Sequence, residues 1–332
     1  MNTPSRAWLA FVGVVLTLAD PAGQSTTGTL LVLNKEEATL VIVDPASGRI
    51  RGRVRTGEGP HEVAVSADGR TAFVSNYGAK APGTSLSIID LTSRKEVRRV
   101  DLGAFKRPHG IAVHDGKVYF TAETNRAIAR YDPAANEVDW VIGTGQAGTH
   151  MVLVAADGRT VFTSNIGSDS ISIFERGENP LAWNQTLVTV GKGPEGFDLT
   201  PDGAELWAAH SRDGGVSVID IATKKVVQTF DVGTKRSNRL EITPDGRLAL
   251  ISDLDAGELV IVDVPSRSVS KRLPLGKMPE GILTAPDGSR AFVAVNGDDH
   301  VAVVDLKTLA VTATIATGDG PDGMAWIAAA GR

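Results

Sequence analysis

The chain has no cysteine, and that single absence removes disulfides, cysteine-bound zinc, iron–sulfur clusters, c-type haem attachment and lipoprotein anchoring. Aromatic residues are sparse at 5% and no block of like charge stands out as a tail, so neither a base-stacking surface nor an electrostatic arm announces itself. The net charge of −5 lacks the basic excess typical of nucleic-acid binders, so nucleic acid is not an expected partner. Familiar catalytic signatures are missing too: there is no G-x-S-x-G, no H-E-x-x-H and no P-loop. Gly143-Thr-Gly145-Gln-Ala-Gly148 has the letters of a dinucleotide fingerprint, but a strand pattern follows it where a helix is required. Asp253, Asp255 and Glu258 share a loop without calcium-loop spacing and are expected to be solvated.

What is present is turn chemistry and short apolar runs, with 36 glycines and 16 prolines. At the N-terminus Arg6 precedes an apolar run from Ala7 to Ala19, the layout of a signal peptide and too short to span a bilayer. Residues 1–23 are therefore expected to be an export signal and 24–332 a single domain. The product would be a periplasmic or extracellular monomer with no membrane span once the signal is removed.

Asp-Gly recurs at Asp68-Gly69, Asp115-Gly116, Asp157-Gly158, Asp202-Gly203, Asp245-Gly246 and Asp287-Gly288. An Asp-Gly pair between apolar runs signals a hairpin, here expected as type I′ turns. Each pair joins two short strands, as in EVAVS (62–66) and TAFVSN (71–76). A third strand ending in an acid follows (Asp90, Asp132, Glu175, Asp220, Asp263, Asp305), then a more polar fourth. The acid is placed to accept backbone N–H bonds in the next turn. The N-terminus supplies three strands lacking an inner one, and the C-terminus supplies one surplus inner strand, GMAWIA (323–328). The expected fold is all-β: a seven-bladed propeller with four antiparallel strands per blade, its ring closed by one C-terminal strand joining three N-terminal strands.

Segments such as "GKGPEGFDLTPDGAELWAAH" and "GGVSVIDIATKKVVQTFDVG" resemble the YVTN-repeat β-propeller family over nearly the whole mature chain. That resemblance implies the fold and leaves function open, since the family includes binding proteins, surface-layer modules and domains attached to enzymes.

Aligned repeats place one residue at the start of each innermost strand: His61, His109, His150, Glu195, Asn238, Glu280 and Asp322. These should gather at one mouth of the central channel. His61, His109, His150 and Glu195 form a candidate ligand set for a divalent transition metal, Cu, Zn, Mn or Fe, with no cofactor otherwise implied. Asn238, Glu280, Asp322 and Arg107 would serve a small ligand or protein partner on the channel face. A second ring at the end of the second strand is mostly Asn, and Glu123 and His210 depart from it as candidates for outer contacts. Deeper in the channel Asp198 and Glu241 replace Ala or Leu. Buried carboxylates need partners, and a salt bridge involving Arg239 or an acid/base pair is expected there.

The primary expectation for function is an exported binding or scaffold protein with a metal or small-ligand site at the channel mouth. The alternative is a hydrolase or isomerase resembling the propeller lactonases. That resemblance implies His, Glu and Arg chemistry at the mouth, here His109 with Arg107 and His150 with Glu195.

Overall fold

A computed structural model describes residues 28–179 and 181–328. The expected signal segment, 1–23, lies outside the described residues. Seven four-stranded antiparallel sheets are arranged round a central channel, six of them in strict chain order. The seventh is completed by Pro321–Ala328, which pairs with Gly28–Asn34 and so joins the two ends of the chain. The chain is a seven-bladed β-propeller. Closure by main-chain bonds removes the open edge that a linear stack of blades would leave. Among the described residues no helix is long and apolar enough to cross a membrane.

Strand alternation sends every second side chain into the seam between neighbouring blades, where Val, Ile, Leu and Phe fill separate apolar clusters. The acids closing the third strands do accept the following turn N–H groups, as Asp90 does from Ser93 and Asp305 from Thr308. Glu175 is different and pairs with Lys224 of the next blade. The Asp-Gly hairpins form where expected, but mostly not as type I′ turns. Only Asp115-Gly116 has positive φ at both residues; at the other five pairs glycine alone is left-handed. There the Asp carboxylate accepts from the residue after glycine, as Asp68 does from Arg70 N–H, which favours a longer turn closed by a left-handed glycine.

One irregularity positions the site. In every blade the pairing of the innermost strand with its neighbour slips by one residue at the same place, for example between Pro108 and Ile111 and between Pro194 and Phe197. The extra residue of each bulge belongs to the histidine and acid ring read from the repeats. A bulge bends the strand and re-aims a side chain, here into the channel mouth. The carbonyls of these residues are then pinned by the preceding blade: Ser75 Oγ donates to His109 O, Thr121 Oγ1 to His150 O and Ser164 Oγ to Glu195 O.

Candidate functional site

All seven ring residues line one cavity of about 180 Å³ at the channel mouth, together with Lys35, Tyr77, Arg236, Arg239, Leu254 and Met278. Its two sides differ in chemistry. One is a wall of rings. His61 stands 4.6 Å from Tyr77 and 5.0 Å from His109, and His109 stacks on His150 at 3.6 Å between centroids. The other side carries charge. Lys35 Nζ lies 2.8 Å from Glu280 and 3.5 Å from Asp322, while Arg239 pairs with Glu62 and approaches Asp322 at 3.9 Å.

Burial drives the histidines toward the neutral form, taking His61 down to about 4 and holding His109 and His150 well below the usual imidazole value. For His150 the Arg239 guanidinium adds to this; for His109 the next cause is His150 itself. Burial and the adjacent Asp322 push Glu280 up to about 8. Burial also raises Glu195, which accepts a 2.6 Å hydrogen bond from Asn238 Nδ2. Asn238 in turn accepts from Arg239 Nη1 at 3.3 Å.

His150 is the ring residue with two buried side-chain atoms left unpaired. It is 8% exposed, and neither ring nitrogen has a hydrogen-bond partner. Glu195 Oε1 stands 3.9 Å from Nε2 and Glu123 Oε1 4.0 Å from Nδ1, so the imidazole lies between two carboxyl groups. Tyr77 OH donates to Glu123. His109 Nδ1 and Asp322 Oδ1 are likewise buried without partners. Native proteins rarely bury such atoms unpaired, and these three residues all line one cavity.

The expected metal ligand set needs correction. His61, His109, His150 and Glu195 do meet, but His150 lies against the face of His109 at 3.6 Å and His61 stands edge-on to His109 at 5.0 Å, a packing of rings and not a ligand cluster. Among the described residues no group of three or more His, Asp or Glu side chains is disposed to hold a metal ion.

The second ring divides. His210 faces away from the mouth, its Nδ1 2.9 Å from Asp213 and its Nε2 accepting from Gly191 N–H. The reason is local. A Cβ at position 191 would lie 2.1 Å from the His210 ring, so glycine there opens the seam the imidazole enters. Asn76 and Asp253 do the same work, accepting from Gly57 N–H and from Lys235 and Arg236 N–H. Asp253 is therefore a buried stitch between blades, not a solvated acid. Glu123 escapes this duty because Asn125, in the short 3-10 turn Glu123–Asn125, takes the equivalent bond from Lys106 N–H. Arg107 lies just outside, in an adjoining pocket of about 420 Å³ that shares Lys35, His61 and Tyr77 with the mouth. Its guanidinium sits 4.6 Å over the Tyr77 ring, so it pairs with tyrosine and not with His109.

The deeper acids also differ from expectation. Asp198 Oδ2 accepts from Ile242 N–H, and Glu241 Oε1 accepts from Thr284 N–H and Thr284 Oγ1. Innermost strands have no strand on their channel side, so their N–H groups there need acceptors; each acid caps the free edge of the next blade. Arg239 pairs with neither. It reaches across the channel to Glu62, 177 residues away in sequence. This crossbar lies between the mouth and a second chamber of about 330 Å³ that holds Asp198 and Glu241 among Met151, Leu153, Phe197 and Met324. Sequence reasoning passed over Glu62, Lys35 and Tyr77. The position following the ring reads Glu62, Gly110, Met151, Gly196, Arg239, Gly281 and Gly323, and one acid and one base among four glycines and a methionine was the available signal.

Residues 140–235 match the family model described as lactonase, 7-bladed beta-propeller. Antigen Lp49 of Leptospira interrogans is 24% identical over 185 residues, covering 49% of this chain and 40% of Lp49. A 6-phosphogluconolactonase of Pectobacterium carotovorum is 26% identical over 236 residues, covering 63% of this chain and 70% of that enzyme. The matches span less than half the length of the first curated relatives. Among solved structures, the periplasmic gluconolactonase PpgL of Pseudomonas aeruginosa superposes with a TM-score of 0.75 at 20% identity, covering 91% of this chain and 99% of PpgL. At that identity the likeness is one of fold.

Proposed function

We propose that this propeller hydrolyses a small, uncharged sugar-type lactone at the channel mouth, with His150 as general base. The observation that carries this is the His150 imidazole: held toward the neutral form, buried, with neither nitrogen hydrogen-bonded, and flanked by Glu123 and Glu195. The similarity to lactonase propellers supports this alternative over the binding or scaffold role expected first.

In the proposed step, water attacks the lactone carbonyl carbon while His150 takes its proton. The oxyanion develops toward the side bearing Arg239 and Lys35. Collapse breaks the ring C–O bond, and the proton on His150 passes to the departing ring oxygen, leaving an open hydroxy acid. Asn238 holds Glu195 in place, and the ring wall of His61, His109 and Tyr77 offers flat faces to the C–H groups of a sugar ring. Lys35 and Arg239 are already matched by Glu280, Asp322 and Glu62, which disfavours an added phosphate. The protein would work in the periplasm or outside the cell.

The test is proton release from glucono-1,5-lactone and from its 6-phosphate, compared with the uncatalysed rate. Turnover of the uncharged lactone should fall by roughly 10²–10⁴-fold in His150→Gln, the usual worth of a positioned base. Because His150 is held neutral, the rate should stay level down to a pH well below 6.5. Binding of lactones without turnover would return the protein to the binding role, and turnover undiminished in His150→Gln would remove the base assignment.

A further inference from the structure

One hairpin departs from the repeat. At the mouth end the second strand of a blade turns at once into the third, so that Asn34 pairs with Thr39, Asn165 with Ser170 and Asp253 with Glu258. In the blade that carries His61, Asn76 pairs instead with Ser85, and the ladder runs on to Gly78 and Pro82. The added residues contribute nothing to the core that the repeats share. In repeat folds, loops lengthened in one repeat commonly carry binding.

The longer hairpin walls one side of the pocket of about 420 Å³ beside the mouth, through Tyr77, Gly78 and Ala79. It is braced from both sides. Gly78 N–H donates to Glu58 O, and Arg107 N–H of the next blade donates to Gly83 O at 2.8 Å. Tyr77 belongs to both spaces. Its ring packs against His61 and His109, its hydroxyl donates to Glu123 beside His150, and Arg107 lies over it on the pocket side. Arg107 holds a left-handed backbone, φ 54°, at a point where four blades have glycine. Glycine would be less strained there, so the strain marks the guanidinium as the reason for the residue.

We infer that this pocket is a second sugar subsite and that the substrate is a lactone-terminated disaccharide, its lactone ring in the mouth and its next, neutral sugar against Arg107. The inference rests on the lactone hydrolysis proposed above and specifies its substrate class. Three observations select a sugar as the occupant. The two spaces adjoin across Lys35, His61 and Tyr77, which line both. The pocket carries both signs of charge, Lys35 and Arg107 with Glu36 and Glu58. That mixture gives no net pull on an anion or a cation and suits hydroxyl groups, which both donate and accept. The pocket is also larger than the mouth, so a space for one ring opens beside a space for another. The glycosidic bond takes no part in the reaction, and the product is a disaccharide aldonic acid.

The test compares kcat/KM for glucono-1,5-lactone with that for cellobiono-1,5-lactone and gentiobiono-1,5-lactone, in the parent and in Arg107→Gly. At least one disaccharide lactone should be turned over on the order of 10-fold more efficiently than glucono-1,5-lactone. Arg107→Gly should erase that preference, because one hydrogen bond from a charged donor is worth about that factor. Glycine suits the left-handed position and keeps the N–H that bonds to Gly83, so the variant should melt no lower than the parent. Equal efficiency on all three lactones, or an undiminished preference in Arg107→Gly, overturns the subsite and leaves the hydrolase standing. Turnover of none of the three removes the hydrolase reading and the subsite with it.

Discussion

Replacing Glu241 by Gln should stabilise the propeller, and only above a definite pH. Burial raises the Glu241 carboxyl from 4.5 to about 7, against the lowering effect of its bonds from Thr284. An acid with a raised folded-state value binds its proton more tightly folded than unfolded, so stability is greatest at low pH and declines as pH rises between the two values. Here the decline runs from about 4.5 to about 7. At 1.36 kcal/mol per unit the ionised group costs about 3 kcal/mol at pH 8–9. Glutamine keeps an amide oxygen where Oε1 accepts from Thr284 N–H and Oγ1, and replaces only the oxygen that can carry the proton. The expected result is near-equal stability of Glu241→Gln and parent at pH 4.5, and an advantage approaching 3 kcal/mol for the variant at pH 8.5. Urea unfolding at a series of pH values measures this directly. A gain that is the same at every pH, or a loss at pH 8.5, would refute the assignment of Glu241 as a strained structural cap. Lactone turnover should be unaffected, which separates this acid from the proposed chemistry.

The crossbar gives a second test. Arg239→Met should cost about 3–5 kcal/mol by leaving Glu62 buried without its partner, and Arg239→Met/Glu62→Gln should cost clearly less than the two single changes added together. Additivity in urea unfolding would mean that the two groups do not interact. At the rim, the residue two places before each ring position is left-handed in six blades: glycine in four, but Arg107 and Met278 in the other two, both at φ 54°. Met278→Gly should therefore stabilise the fold by roughly 0.5–1 kcal/mol while weakening ligand binding, because the strained methionine covers part of the mouth. Loss of stability in that variant would show that the left-handed backbone is not strained there. Thermal melts with and without glucono-1,5-lactone read both effects.

Much of this protein was legible before any coordinates, because its information is local and repeated. Strand alternation, the Asp-Gly turns and the acid closing each third strand depend on residues a few positions apart, and six copies made the seventh blade countable from its two parts. The same repetition placed His61, His109, His150, Glu195, Asn238, Glu280 and Asp322 at equivalent points, so their meeting at one mouth followed from the ring itself. Repeats specify which residues share a level of the channel; they do not specify how far each side chain reaches or whom it meets. That His150 packs against the face of His109 while His61 meets it edge-on, that Arg239 crosses the channel to Glu62, and that Asp198 and Glu241 cap main-chain N–H groups are decided by distances across the ring. Glu123 faces His150 and His210 does not, although the repeats make them equivalent, because Asn125 relieves one of a bond that the other must supply. Contacts between residues 40 to 180 positions apart depend on the curvature of the closed ring, which only the tertiary structure sets.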